Sequence, residues 1–100
     1  MYRIENLSGL ELMNTHTVLI VEDDPRDQFF LKHAFDDIGL KVELKFANSA
    51  EDALEHISSG FLPTTIVTDL SMPGMGGFGL LDRLKQSEVL RRIPTIVFSG

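Results

Sequence analysis

The chain carries 100 residues, 43% of them apolar and 24% charged, as expected for one small soluble domain with a single core. A formal net charge of −6, with Arg91-Arg92 as the sole adjacent basic pair, excludes a basic face for direct nucleic-acid contact. The absence of cysteine excludes disulfides and cysteine-bound zinc and suits a reducing cytoplasm, and no apolar stretch is long enough to span a membrane.

Residues 1–16 mix Arg3, Glu5 and Glu11 with polar positions, unlike a signal peptide, and read as a short extension before a domain over 17–100. Thr17-Val18-Leu19-Ile20-Val21 is a continuous β-branched and apolar run, the pattern of a strand buried on both faces. It ends in Glu22-Asp23-Asp24. Asp24-Pro25 then starts a helix, with Asp24 as N-cap and Pro25 in the first turn. Leu31, Phe35 and Ile38 supply its apolar stripe, Phe29 and Phe30 are expected in the core, and Gly39 ends it. Val42, Leu44 and Phe46 alternate with Glu43 and Lys45, as in a half-exposed strand near a sheet edge.

Ser49 and Asp52 form a capping box for a second helix striped by Ala50, Ala53, Leu54 and Ile57 and closed by Gly60. A third strand, Thr64 to Thr68, leads into Asp69 and the loop Leu70 to Met75. Phe78, Leu81, Leu84 and Lys85 mark a third helix, and Pro94 precedes a fourth strand, Thr95 to Phe98, that ends at Ser99-Gly100. This alternation implies right-handed parallel crossovers with helices on both faces of an α/β sheet. In such folds functional groups gather beyond the carboxyl ends of the strands, where Asp23, Asp69 and Ser99 all fall.

A carboxylate at the end of a buried strand is costly unless a charge compensates it. Acids crowded together raise one another's pKa, and a divalent cation reverses that balance. Hard oxygen donors suit Mg²⁺. Helix capping accounts for one acid of the Glu22-Asp23-Asp24 triplet, not for all of it. Turn chemistry at Asp69 would be served equally by Asn or Ser. A hydroxyl at Ser99, at the end of the fourth strand, would face Asp69 and could donate to a phosphoryl oxygen.

Gly74-Met75-Gly76-Gly77-Phe78-Gly79 matches the G-x-G-x-x-G spacing of a dinucleotide site, but it follows the third strand with Asp69 and Pro73 intervening, and no acid closes a following strand. Its glycines instead let the loop bend closely around the acidic pocket. A phosphate-binding G-K-[ST] loop is absent. Aspartyl phosphatases of the haloacid dehalogenase kind carry a general acid two residues after the nucleophile, where this chain has Ser71. His16, His33 and His56 are isolated and read as surface or boundary residues.

Together these residues resemble the receiver domains of two-component response regulators. The resemblance rests on Val18 to Pro25, Ile66 to Met75 and Pro94 to Gly100, and covers residues 17–100. It implies a flavodoxin-like three-layer sandwich whose parallel sheet has the order 2-1-3-4-5. It also implies that Asp69 accepts a phosphoryl group from a sensor histidine kinase or histidine phosphotransferase. Asp23 would then be a direct Mg²⁺ ligand beside Asp69 and the backbone carbonyl of Ser71, with Glu22 acting through water and Ser99 as the switch hydroxyl. Such a domain is a cytoplasmic phosphorelay element, not a turnover enzyme, although it assists its own phosphorylation and slow dephosphorylation.

Gly76 stands where the family often has Asp, a loop position of small expected effect. The family continues with a fourth helix, a fifth strand carrying a phosphate-binding lysine and a switch aromatic, and a fifth helix. These 100 residues hold none of them, and Lys32, Lys41, Lys45 and Lys85 lie in other elements. The expectation is therefore a receiver truncated after strand four, whose apolar edge Thr95 to Phe98 favours a homodimer or a segment-swapped oligomer. Two other readings are a degenerate receiver acting only as an interaction module and a phosphatase-like hydrolase.

Overall fold

The computed structural model describes residues 16–37 and 42–98. Strand β1 (His16–Val21) is followed by helix α1 (Pro25–Asp36), β2 (Val42–Ala47), α2 (Ala50–Ser58), β3 (Thr65–Asp69), α3 (Gly76–Lys85), a 3₁₀ turn over Leu90–Arg92, and β4 (Thr95–Phe98). All pairings are parallel and the sheet order is β2-β1-β3-β4, which agrees with the expected order as far as strand four. The order reverses between β1 and β3, so the ends of these two strands form the crevice of a doubly wound sheet.

Central strands with a helical layer on each face must be apolar on both sides. In β1, Leu19 and Val21 join Ala50 and Ala53 of α2 and Leu80 and Leu84 of α3 on one face. Val18 and Ile20 join Leu31 and Phe35 of α1 on the other. This makes three layers, with α1 the one helix on its side among the described residues. The edge strand β2 alternates between half-buried and exposed positions until Ala47, as its sequence alternation predicts.

Asp24 caps α1 by accepting the Arg26 N–H at 2.8 Å, with Pro25 in the first turn. Ser49 caps α2 by accepting the Asp52 N–H at 2.9 Å. The Asp52 carboxylate reaches back to the N–H of Asn48, at 3.0 Å, one residue earlier than a standard box. Helix α1 ends with Asp37 as its C-cap, and the predicted stop at Gly39 and the stripe residue Ile38 lie outside the described residues.

The expectation that Phe29 and Phe30 pack in the core is wrong. They are 59% and 69% exposed. Leu31 and Phe35, one helical turn apart, occupy the face against the sheet, and at about 100° per residue the two preceding positions point away from it. The two rings instead meet edge to face on the surface, with centroids 6.2 Å apart. His16 opens β1 opposite Val42, so the strand begins one residue before the predicted boundary, and residues 1–15 lie outside the described segments.

Candidate functional site

Val21 ends β1 opposite Thr68, and Asp69 ends β3 one residue later, so the acids that follow each strand emerge side by side. One carboxylate oxygen from each of Glu22, Asp23 and Asp69 lies within 4.8 Å of the others. Glu22 and Asp69 are buried, at 1% and 6% exposure, and Asp23 is open to solvent. Asp24 stands apart, spent on the cap and on an ion pair with Arg26 at 3.1 Å.

Glu22 is bound on one side only. Its Oε2 accepts the Asp24 N–H at 2.8 Å, whereas Oε1 is the one buried side-chain N or O atom among the described residues without a partner. Burial pushes its carboxyl up to about 7 from an ordinary 4.5, against the opposing pull of the Asp24 N–H. The neighbouring carboxyl groups of Asp23, Asp69 and Asp27 push the same way as burial.

Asp69 is held by its own loop. The Ser71 N–H donates to Oδ1 at 3.1 Å, and the Leu70 N–H donates to the Phe98 carbonyl at 2.9 Å, tying the loop to the end of β4. Gly74 and Gly76 adopt φ of 78° and 71°, which side chains disfavour, and they turn the chain back onto the strand end. At Gly77 a Cβ would stand 2.5 Å from the Asp69 carbonyl oxygen, so the start of α3 packs directly against the backbone of Asp69.

The structure thus brings together Glu22, Asp23 and Asp69, and places Ser71 as a backbone donor to Asp69. Ser99 lies outside the described residues, one position beyond β4. Lys32 sits in α1 paired with Asp36, Lys45 in β2 and Lys85 in α3, while Lys41 is outside the described residues.

Two supporting residues were not singled out in the sequence. Gln28 donates from Nε2 to the Glu22 carbonyl at 2.6 Å and to Asn48 Oδ1 at 3.0 Å. Glu51 accepts the Met75 N–H at 3.2 Å. Neither carries a sequence signal, since polar residues in the first turns of helices are ordinary.

A family model described as the response regulator receiver domain matches residues 18–100. The chain is similar to the two-component response regulator ORR6 of Oryza sativa subsp. japonica, 34% identical over 94 residues, covering 92% of this chain and 54% of that protein. It is also similar to a probable methanogenesis regulatory protein, FilR2, of Methanothrix harundinacea, 26% identical over 103 residues, covering 98% of this chain and 66% of that protein. Among solved structures, the bacteriophytochrome response regulator AtBRR superposes with a TM-score of 0.78 at 28% identity, over 86% of this chain and 67% of that one. The chain therefore spans about half to two thirds of the length of these curated relatives. No described helix is long and apolar enough to cross a membrane.

Proposed function

The chain belongs to the response regulator receiver domain family, and on that premise we propose that Asp69 is its phosphoacceptor in a cytoplasmic two-component relay. The phosphoryl donor would be the phosphohistidine of a sensor kinase or histidine phosphotransferase. One observation carries the reading: three carboxylates converge within 4.8 Å while Glu22 Oε1 is buried without a partner. Crowded acids with a spare buried lone pair are a donor set that a hard divalent cation satisfies. The three acids fit Mg²⁺: Asp23 and Asp69 would hold it directly, together with the Ser71 carbonyl that the family resemblance implies, and Glu22 would act through water. When bound, the ion neutralises charge on the phosphoryl oxygens.

The chain's own contribution is positioning. The Ser71 N–H occupies Oδ1 of Asp69, which leaves the other carboxylate oxygen to attack phosphorus. That O–P bond forms as the P–N bond to the donor imidazole breaks, and the imidazole leaves neutral after taking up a proton. Pro25, Arg26, Phe29 and Phe30 form an exposed, largely apolar patch directly after the acidic triplet, which supports docking of the donor beside Asp69. Ser99 is the proposed switch hydroxyl, drawn toward the new phosphoryl group and biasing a two-state loop that a partner reads. Ser71 offers no side-chain acid for rapid hydrolysis, which disfavours a phosphatase.

Incubation of the full chain with acetyl phosphate and Mg²⁺ tests the proposal. The expected result is a phosphorylated species by intact-mass measurement that disappears in Asp69→Asn and on adding a chelator. No Asp69-dependent adduct with phosphate or beryllofluoride would defeat it. Phosphate release over many turnovers per minute would favour the hydrolase instead.

A further inference from the structure

We infer that Gln28 is a positioning residue for the Glu22–Asp23 corner, an inference that rests on the proposed cation-binding role of that corner. The strand register explains why a side chain is needed there. Val21 pairs with Ala47, and the parallel ladder continues one step further as the Glu22 N–H donates to the Ala47 carbonyl at 3.0 Å. In that register the next donor, to the Glu22 carbonyl, would be the Ser49 N–H. Strand β2 ends at Ala47, however, and the chain bends at Asn48 and Ser49, where Ser49 caps α2.

Gln28 supplies the donor in its place. Its backbone N–H donates to the carbonyl of the cap residue Asp24 at 3.0 Å, and its carboxamide turns back to meet the Glu22 carbonyl at 2.6 Å. The same Nε2 donates to Asn48 Oδ1 at 3.0 Å, so it faces two oxygen acceptors and the orientation of the amide follows. Asn48 is anchored in turn by its own N–H to Asp52. The Glu22 backbone is therefore gripped on both its N–H and its carbonyl.

That grip fixes the plane of the Glu22–Asp23 peptide. It holds both carboxylates at the cluster, Glu22 on its buried side and Asp23 on its solvent-exposed side. Groups that orient ligands in this way commonly change metal affinity by about 10–100-fold. Gln28 is a carboxamide that holds the Glu22 carbonyl, so it acts through Glu22 and Asp23.

The test is Mg²⁺ titration calorimetry on the full chain, with melting followed separately in chelator. Gln28→Met keeps the length of the side chain and removes the donor, and is expected to weaken Mg²⁺ binding about tenfold. Asn48→Ala, on the exposed end of the bridge, is expected to weaken it less, and the double variant to be no worse than Gln28→Met alone. Ile57→Val, a core variant remote from the site, is expected to bind Mg²⁺ as the wild type does. If Gln28→Met does not melt cooperatively, Asn48→Ala carries the comparison. Unchanged affinity in both polar variants overturns the inference and leaves the cation site standing, as does an equal loss in Ile57→Val. No saturable Mg²⁺ binding by the wild type overturns the cation site and the inference together.

Discussion

Glu51, at the start of α2, accepts the N–H of Met75 at 3.2 Å and so holds the far end of the loop that leaves Asp69. The carboxylate also lies over Gly74, where a Cβ would come within 2.8 Å of Oε2. The bond is solvent-accessible, so its loss costs about 0.5–1.5 kcal/mol. Glu51→Ala is expected to lower the melting temperature by a few degrees and to speed amide exchange at Met75 while leaving Leu19 protected. Unchanged exchange at Met75 would show that Glu51 does not restrain the loop.

Gly77 and Gly79 separate backbone from side-chain crowding. A Cβ at Gly77 meets the Asp69 carbonyl oxygen at 2.5 Å and Leu70 Cα at 3.1 Å, both backbone atoms that cannot swing aside. At Gly79 it meets the Met75 side chain, which can rotate. Gly77→Ala is expected to cost about 1–3 kcal/mol despite the better helix propensity of alanine, a fall of roughly 10 °C in melting temperature. Gly79→Ala should cost less than Gly77→Ala, since the clash is with a side chain that can change rotamer. A Gly77→Ala protein as stable as the wild type, in thermal melts, would mean that α3 is not packed on Asp69 as described.

Much of this arrangement was legible in the chain. Val18 to Val21 and Ile66 to Thr68 are apolar at every position or β-branched, a pattern that few structures other than a doubly covered strand accommodate. An acid directly after each run then locates the pocket, because parallel strands bring their carboxyl ends to one edge. Phe29 and Phe30 misled because apolar character alone does not say which face of a helix meets the sheet, and Leu31 with Phe35 already filled that face. Gln28 could not be read at all. Its role depends on where β2 places Asn48, twenty residues away, and on Ser49 turning out of the ladder.

Among the described residues β4 pairs with β3 alone, and Ile96 and Val97 are 57% and 36% exposed. An apolar strand with one free side pairs readily with another chain. The hundred-residue polypeptide is therefore expected to self-associate in light scattering, with Ile96→Lys shifting it toward monomer. A wild-type monomer that stays monomeric as concentration rises would refute this.

Glu22 gives the site a pH signature whose sign can be worked out. Its carboxyl titrates near 4.5 when exposed and near 7 when folded, because burial disfavours the ionised form. The folded state binds the proton more tightly than the unfolded state between those values, so stability falls as pH rises from about 4.5 to about 7. Asp24, held below its ordinary 3.8 by Arg26, acts in the opposite sense but at lower pH. Without divalent cation, the melting temperature is thus expected to decline across the mildly acidic range and then level off. Glu22→Gln, which keeps the shape and cannot ionise, should flatten that decline. Millimolar Mg²⁺ should restore the wild type near neutrality, since a cation beside the cluster favours ionised Glu22, and should leave Glu22→Gln less affected. Melts that decline equally in wild type and Glu22→Gln would show that another group carries the dependence.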